Sequence, residues 1–184
     1  MGYGEKMWFI VALILLIIFV ILLSLVVTFF TGAIWSPTSM KTVRRMLQMA
    51  WVKPGEKVYD LGAGDGRIAI AAAREFGATS VGIEVNPLLV LLAKLKVASA
   101  GLRGAVKIVR GNLYDHSFRD ADVVAVYLSP QGNKRLREKL ERELKDGARV
   151  VSHRWQFKGW EPVKVDEKRK VYLYKWTRSR KAKH

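Results

Sequence analysis

Residues 59–70 read YDLGAGDGRIAI, three glycines and two aspartates crowded into the link between two apolar segments. A glycine pattern alone marks no more than a bend. Here the flanks are regular. KVYDLG (57–62) reads as a buried strand, Arg67 to Phe76 as an alanine-rich helix stopped by Gly77, and SVGIEV (80–85) as a second buried strand. Strand, glycine turn, helix and strand in this order predict a parallel βαβ unit.

The same alternation continues outward. Asn86 and Pro87 supply an N-cap and a first helical position for PLLVLLAKLKVASA, which Gly101 closes. VKIVRGN (106–112) and ADVVAVYLS (121–129) predict strands three and four. A helix with Leu136, Leu140 and Leu144 on one face follows, with Glu138–Arg142 and Glu141–Lys145 pairs expected on its outside. RVVSHRW (149–155) is strand five, and PVKVDEKRKVYLYKW (162–176) reads as two strands joined by a charged turn. Upstream, SPTSMKTVRRMLQMAWVKPGE (36–56) carries Val43, Met46, Leu47 and Ala50 at helical spacing and ends before Pro54 and Gly55. The expected architecture is α/β, a mostly parallel seven-stranded sheet covered on both faces with a C-terminal antiparallel hairpin at one edge.

The chain has 184 residues, half of them apolar, enough for one globular domain and a short addition. From Met7 to Phe30 no charged residue occurs. A helix of that length rises about 36 Å, enough to cross a bilayer as one N-terminal transmembrane helix. Trp8 and Trp35 flank it as interfacial anchors. The alternative is a cleaved secretory peptide, for which TGA (31–33) offers the small residues of a cleavage site, but the apolar run is far longer than a signal core. The expected division is therefore a flank at 1–6, a transmembrane helix at 7–30, a linker at 31–37, a domain at 38–177 and a basic tail at 178–184.

Only Lys6 precedes the span as a basic residue, whereas Lys41, Arg44 and Arg45 come soon after it, so the domain is expected on the cytoplasmic (or matrix-equivalent) side. Glu5 and Lys6 are the only charges ahead of Lys41 and cancel each other, so the net charge of +16 lies on the residues from Lys41 onward. That excess attracts anionic surfaces of any kind: lipid headgroups, nucleic acid or acidic protein. Arg178, Arg180, Lys181 and Lys183 of the tail read as a solvated face or a lipid contact. The absence of cysteine excludes disulfides and thiolate metal sites, and no metal site is expected.

In a sheet of this kind ligands bind beyond the carboxyl ends of the strands, where strand order reverses. Gly62, Gly64 and Gly66 let the backbone take positive φ and approach a ligand closely. Glu84, ending the second strand, is placed to accept both hydroxyls of a ribose. The spacing is G-x-G-x-G with Asp60 ahead of it, not the G-x-G-x-x-G of dinucleotide sites. An acid before the turn suits a ligand with a cationic amino group, which favours S-adenosyl-L-methionine over NAD. Asn112 after the third strand is placed to meet an adenine, or else is simply a turn residue.

SPTSMKTVRRML, VYDLGAGDGRIAIAAA, GIEVNPLLV, VKIVRGNLYD, KLERELKDGARVVSHRWQFKGWEP and VYLY together resemble the small class I (seven-strand) protein-lysine methyltransferases of archaea. They are similar also to the mitochondrial relatives that modify lysines of the ATP synthase c subunit and the ADP/ATP carrier. The likeness runs from about Pro37 to Trp176. It implies a Rossmann-like methyltransferase fold, with the mitochondrial members also carrying a membrane segment ahead of the domain. It assigns Asp60, Gly62, Gly64 and Gly66 to the methionine end of S-adenosyl-L-methionine, Glu84 to its ribose and Asn112 to its adenine. The methyl-transfer face falls on Tyr127 to Gln131, with Tyr127, Ser129 and Pro130 as the residues about the target amine.

His153 offers a base near neutrality or a hydrogen-bonded structural residue beside Ser152, and Trp155 and Trp160 either wall a lysine channel or pack the sheet edge. The expected partners are a protein with an accessible lysine and anionic membrane lipid, with the chain a monomer. Two rivals stand beside this reading: a methyltransferase for RNA or a lipid amine, and a membrane-tethered binding module of this fold without activity. YLSPQG (127–132) has one proline and no following aromatic, unlike the turn common in base-amine methylases, which counts against nucleic acid.

Overall fold

The computed structural model describes residues 2–31 and 37–177. Trp35, the TGA stretch beyond Thr31 and the tail from Arg178 lie outside the described residues. The chain divides into two compact units, Met1–Trp35 and Ser36–His184.

The described part of the first unit contains one helix, α1 (Tyr3–Thr31), which starts four residues ahead of the apolar run with Glu5 in its first turn. Its stretch Gly4–Leu22 is long and apolar enough to cross a membrane, and none of it is buried. Trp8 is 71% exposed.

The second unit is a seven-stranded sheet in the order β3-β2-β1-β4-β5-β7-β6. Its strands are β1 (Lys57–Leu61), β2 (Thr79–Glu84), β3 (Val106–Arg110), β4 (Val123–Val126), β5 (Arg149–His153), β6 (Lys164–Asp166) and β7 (Val171–Lys175). The first five run parallel, and β7 and β6 are antiparallel at one edge. Strand order reverses between β1 and β4, as expected for a doubly wound sheet.

Helices α2 (Met40–Met49), α3 (Arg67–Phe76), α4 (Pro87–Ser99) and α5 (Pro130–Glu143) cover it. Val43, Met46, Leu47 and Ala50 are buried with Val58, Ile68, Val123 and Val151, so α2 and α3 share one face. Leu136, Leu140 and Leu144 pack on the other, against Tyr59, Val124, Val150 and Tyr174. Val90, Ala93 and Val97 seat α4 on Val106 and Ile108.

Several expectations are corrected. Strands four and five end at Val126 and His153, short of the Ser129 and Trp155 read from the sequence. Strand three stops at Arg110, because Asn112 caps a short 3-10 turn, Leu113–Asp115, instead of extending the ladder. The ion pairs along α5 are Arg137–Glu141 at 3.4 Å and Lys139–Glu143 at 2.5 Å, not those read from the sequence. Trp160 Nε1 donates to Glu141 at 2.8 Å and Lys145 reaches Asp122 at 2.6 Å, so tertiary partners decide which i,i+4 pairs form.

Candidate active site

Beyond the carboxyl ends of the neighbouring strands β3, β2, β1 and β4 lie the turn at Gly62–Gly66, the Glu84–Asn86 segment, the 3-10 turn after Gly111 and the Tyr127–Pro130 segment. Each is held by its own sequence.

Gly62 and Ala63 both donate their amides to Ile83 O at 3.0 Å, which ties the first turn to β2. Gly62 has φ +77°, and a Cβ there would lie 3.2 Å from Leu128 Cδ2, so the segment after β4 closes directly onto the turn. Gly66, also at +77°, opens α3 where a Cβ would sit 3.1 Å from Ala93 Cβ of α4. These are backbone geometries and close approaches that a side chain would obstruct.

Glu84 is buried and completes the turn from the next strand. Its Oε2 accepts from Gly64 N and its Oε1 from Asn86 N, both at 2.8 Å. A carboxylate has about four lone-pair positions, so two remain for a ligand's hydroxyls. Asn86 in turn caps α4, its Oδ1 accepting from Leu88 N at 3.0 Å.

Asp60 is 2% exposed, covered by the turn and the start of α3. Its Oδ2 accepts from Ala69 N at 3.2 Å, at the amino end of α3. Burial pushes its carboxyl up to about 7 against that hydrogen bond, with the charges of Glu84 and Asp65 adding to the rise. A cation brought to the turn would restore the ionised form.

Sequence reasoning passed over Asp65. It is buried inside the turn, with Arg67 Nε at 2.8 Å and Lys96 Nζ at 2.5 Å. Burial alone would raise its carboxyl, but the hydrogen bonds and charges of Arg67 and Lys96 hold it at about 2. Arg67 also donates to Thr38 O at 2.7 Å. The GDGR run contains the local signal, an acid between two glycines followed by a guanidinium. Lys96 and Thr38 carry none, because they arrive through the packing of α4 and of the segment before α2.

Thr38 makes a second contact: its Oγ1 and His153 Nδ1 form a 3.3 Å hydrogen bond. The His153 ring lies 4.5 Å from that of Tyr127, tilted by 55°. Burial and then the neighbouring Arg154 lower the His153 pKa, so the imidazole is neutral at physiological pH. His153 thus has a hydrogen-bond partner in Thr38, from the segment before α2. Ser152 instead accepts from Asn133 Nδ2 at 3.3 Å and donates to Trp155 O.

Tyr127 is half-buried, and Arg154 reaches its hydroxyl at 3.4 Å. Ser129 is exposed and caps α5, its Oγ accepting from Gly132 N at 3.1 Å, while Pro130 is the first helical residue. One lone pair of that oxygen is therefore spent. Asn112 is exposed and its Oδ1 accepts from Tyr114 N at 3.2 Å, so it does act as a turn residue, with its amide nitrogen unpartnered among the described residues. Tyr114 OH donates to Gly132 O at 3.3 Å, joining the β3 and β4 sides of the rim.

The two tryptophans separate. Trp160 is buried, stacked on Phe157 with ring centroids 4.9 Å apart, and belongs to the core. It cannot wall a channel. Trp155 is 42% exposed. Among the described residues no group of three His, Cys, Asp or Glu side chains is gathered as a metal site would need.

The family described as "ANTKMT methyltransferase domain" matches residues 60–164, from within β1 to the first residue of β6. Among proteins of known activity, the chain is 43% identical over 145 residues to the protein-lysine N-methyltransferase of Saccharolobus islandicus, covering 75% of this chain and 90% of that one. It is 42% identical over 127 residues to the mouse adenine nucleotide translocase lysine N-methyltransferase, covering 69% of this chain and 55% of the relative. The chain thus spans nearly all of the first and about half of the second. Among solved structures, an RNA methyltransferase from Salinibacter ruber in complex with S-adenosyl-L-homocysteine aligns with a TM-score of 0.73 at 41% identity, over 77% of this chain and 93% of that one.

Proposed function

The chain belongs to the ANTKMT methyltransferase domain family, and on that premise we propose that it methylates the side-chain amines of protein lysines with S-adenosyl-L-methionine as cofactor. The observation that supports the reading is the approach of Leu128, from the segment after β4 that also carries Tyr127, Ser129 and Pro130, to Gly62 of the turn that would hold the cofactor. The relatives named for lysine methylation and the complex with the demethylated cofactor support it.

The residues fit the cofactor. Gly62, Gly64 and Gly66 carry no side chain to obstruct the ligand, Glu84 keeps two lone pairs for the ribose hydroxyls, and the amide nitrogen of Asn112 is left for the adenine. Asp60 acts from its buried position: its carboxyl, held near neutrality by burial, ionises in favour of a cationic amino acid group. When bound, the cofactor supplies a methyl already activated by positive sulfur, so strong acid or base groups are not required.

The protein's task is to present a neutral amine. At a reference pKa near 10.4, about one lysine in a thousand or fewer is uncharged at neutral pH. A lysine side chain laid against Tyr127 and Pro130 would lose part of its hydration, which disfavours the charged ammonium. Ser129 Oγ, with one lone pair left after capping α5, and the Tyr127 hydroxyl accept the amine N–H bonds and orient its lone pair. The proton leaves to water.

The apolar, unburied stretch Gly4–Leu22 of α1 supports a single-pass anchor, with the second unit on the cytoplasmic or matrix-equivalent side and membrane-proximal proteins as substrates. The chain acts as a monomer, with 7–30 as the span and 38–177 as the methyltransferase domain. RNA is the competing substrate, favoured by the Salinibacter likeness and the net charge of +16. Incubation of the full chain with methyl-labelled cofactor and separate protein, RNA and lipid fractions decides between them. Label enters lysine of the protein fraction; label confined to RNA or lipid overturns the reading.

A further inference from the structure

Helix α4 carries an apolar face that the fold does not use. Val90, Ala93 and Val97 bury it against β3, but Leu91, Leu92 and Leu95 on the opposite side are 55%, 37% and 59% exposed, with Leu88 half-buried at the same helical spacing. Positions 88, 91, 92 and 95 form one stripe over two turns. A helix apolar on every side belongs in a core or at a lipid surface, and here half of it has no protein against it among the described residues.

Charge says what covers it. Between Glu84 and Asp115 the chain contains no acidic residue and five basic ones: Lys94, Lys96, Arg103, Lys107 and Arg110. Lys96 is engaged by Asp65, while Lys94, Arg103, Lys107 and Arg110 make no ion pair among the described residues. Leu95 lies with Lys94, Arg103 and Lys107 on the wall of an open cleft of about 800 Å³ at the amino ends of β2 and β3. Leucines fringed by unpaired cations match the acyl boundary and the anionic headgroups of a bilayer, in the manner of an interfacial helix. Eight residues of sequence join Thr31 to Met40, so a bilayer that held α1 would keep this domain at its surface.

We propose that the outer face of α4, Leu88, Leu91, Leu92 and Leu95 with Lys94, Arg103 and Lys107, docks the methyltransferase domain flat on an anionic membrane. The consequence reaches the active site. Helix α4 starts at Pro87, three residues after Glu84, so docking along its whole length, from Leu88 to Leu95, also holds the Glu84 end of the domain toward the membrane surface. The lysines it serves then lie at the lipid–water boundary. The docking itself does not depend on lysine being the substrate.

The absence of cysteine makes the test direct. The full chain bearing Leu95→Cys is labelled with an environment-sensitive fluorophore and reconstituted into phosphatidylcholine vesicles with or without phosphatidylglycerol, each containing doxyl-labelled lipid as quencher. Arg142→Cys on the exposed side of α5 is the control, and thermal shift with S-adenosyl-L-methionine checks that each sample is folded. Docking predicts at least twofold stronger quenching at position 95 than at 142 in anionic vesicles, reduced to the neutral-vesicle level by Lys94→Glu with Arg103→Glu and Lys107→Glu. Equal quenching at 95 and 142 overturns it. So does a blue shift at 95 without lipid quenching, which would mean that α1 or a second protein covers the leucines. A normal cofactor shift in the same sample leaves the methyltransferase reading standing whichever result appears.

Discussion

Glu84 Oε2 and the Gly64 amide are joined by a 2.8 Å hydrogen bond, so the residue that ends β2 also fixes the turn that leaves β1. Its second oxygen holds Asn86 N at the cap of α4. One carboxylate therefore sets the relative position of two loops, and a change there acts on shape as well as on charge.

Glu84→Gln replaces an acceptor oxygen by a donor and loses one of these two backbone bonds. A hydrogen bond to a charged group contributes about 1.5–3 kcal/mol. Calorimetry should show affinity for S-adenosyl-L-methionine falling tenfold or more, with a lower unfolding midpoint. An unaltered affinity would remove Glu84 from the ribose site.

Asp60 makes both stability and cofactor affinity depend on pH. Its carboxyl titrates near 3.8 in the unfolded chain and is pushed up to about 7 by burial in the fold. The folded state keeps the proton between those values. Stability from this group is thus complete below about pH 4 and declines as pH rises to about 7, by at most about 1.4 kcal/mol per unit. Affinity for the cationic cofactor rises over the upper part of that interval, because the ionised carboxylate is the form it favours. Denaturant titrations and calorimetry across pH 5–8 check both slopes, and Asp60→Asn should flatten both.

Gly66→Ala and Gly55→Ala separate crowding from backbone strain. Both glycines have left-handed φ, +77° and +80°, but a Cβ at Gly66 meets Ala93 Cβ at 3.1 Å whereas one at Gly55 meets nothing within 4 Å. Chemical denaturation should show a loss of about 1 kcal/mol at Gly55 and about 2–4 kcal/mol at Gly66.

Tyr127 is expected to act on turnover. Tyr127→Ala should lower kcat at least tenfold and change cofactor affinity less than threefold, and equal losses would refute its place at the amine. Thr38→Val removes the 3.3 Å bond that steadies His153 beneath Tyr127 but keeps the carbonyl that Arg67 holds. It should lower kcat several-fold without altering the KM for cofactor, and a larger effect on KM would make Thr38 a cofactor-loop residue instead.

The sequence alone determined the order of strands and helices, the glycine turn with Asp60 ahead of it and Glu84 after the next strand, and the apolar amino-terminal helix. These are local: glycine permits φ that other residues resist, Asn86-Pro87 starts α4, and alternating apolar runs close a parallel sheet. The resemblance carried the family and the cofactor. Tertiary structure decided which way side chains were spent. Asp60 turned inward to Ala69 and Trp160 went into the core, because burial is a property of what packs above a residue and not of its neighbours in sequence. Thr38, Lys96 and Asp65 became one network with the turn only when α4 and the segment before α2 closed over it. The bare leucines of α4 were legible as an apolar helix, yet only the fold showed which half of it no protein covers, since one helix period cannot say how many of its faces will find a partner.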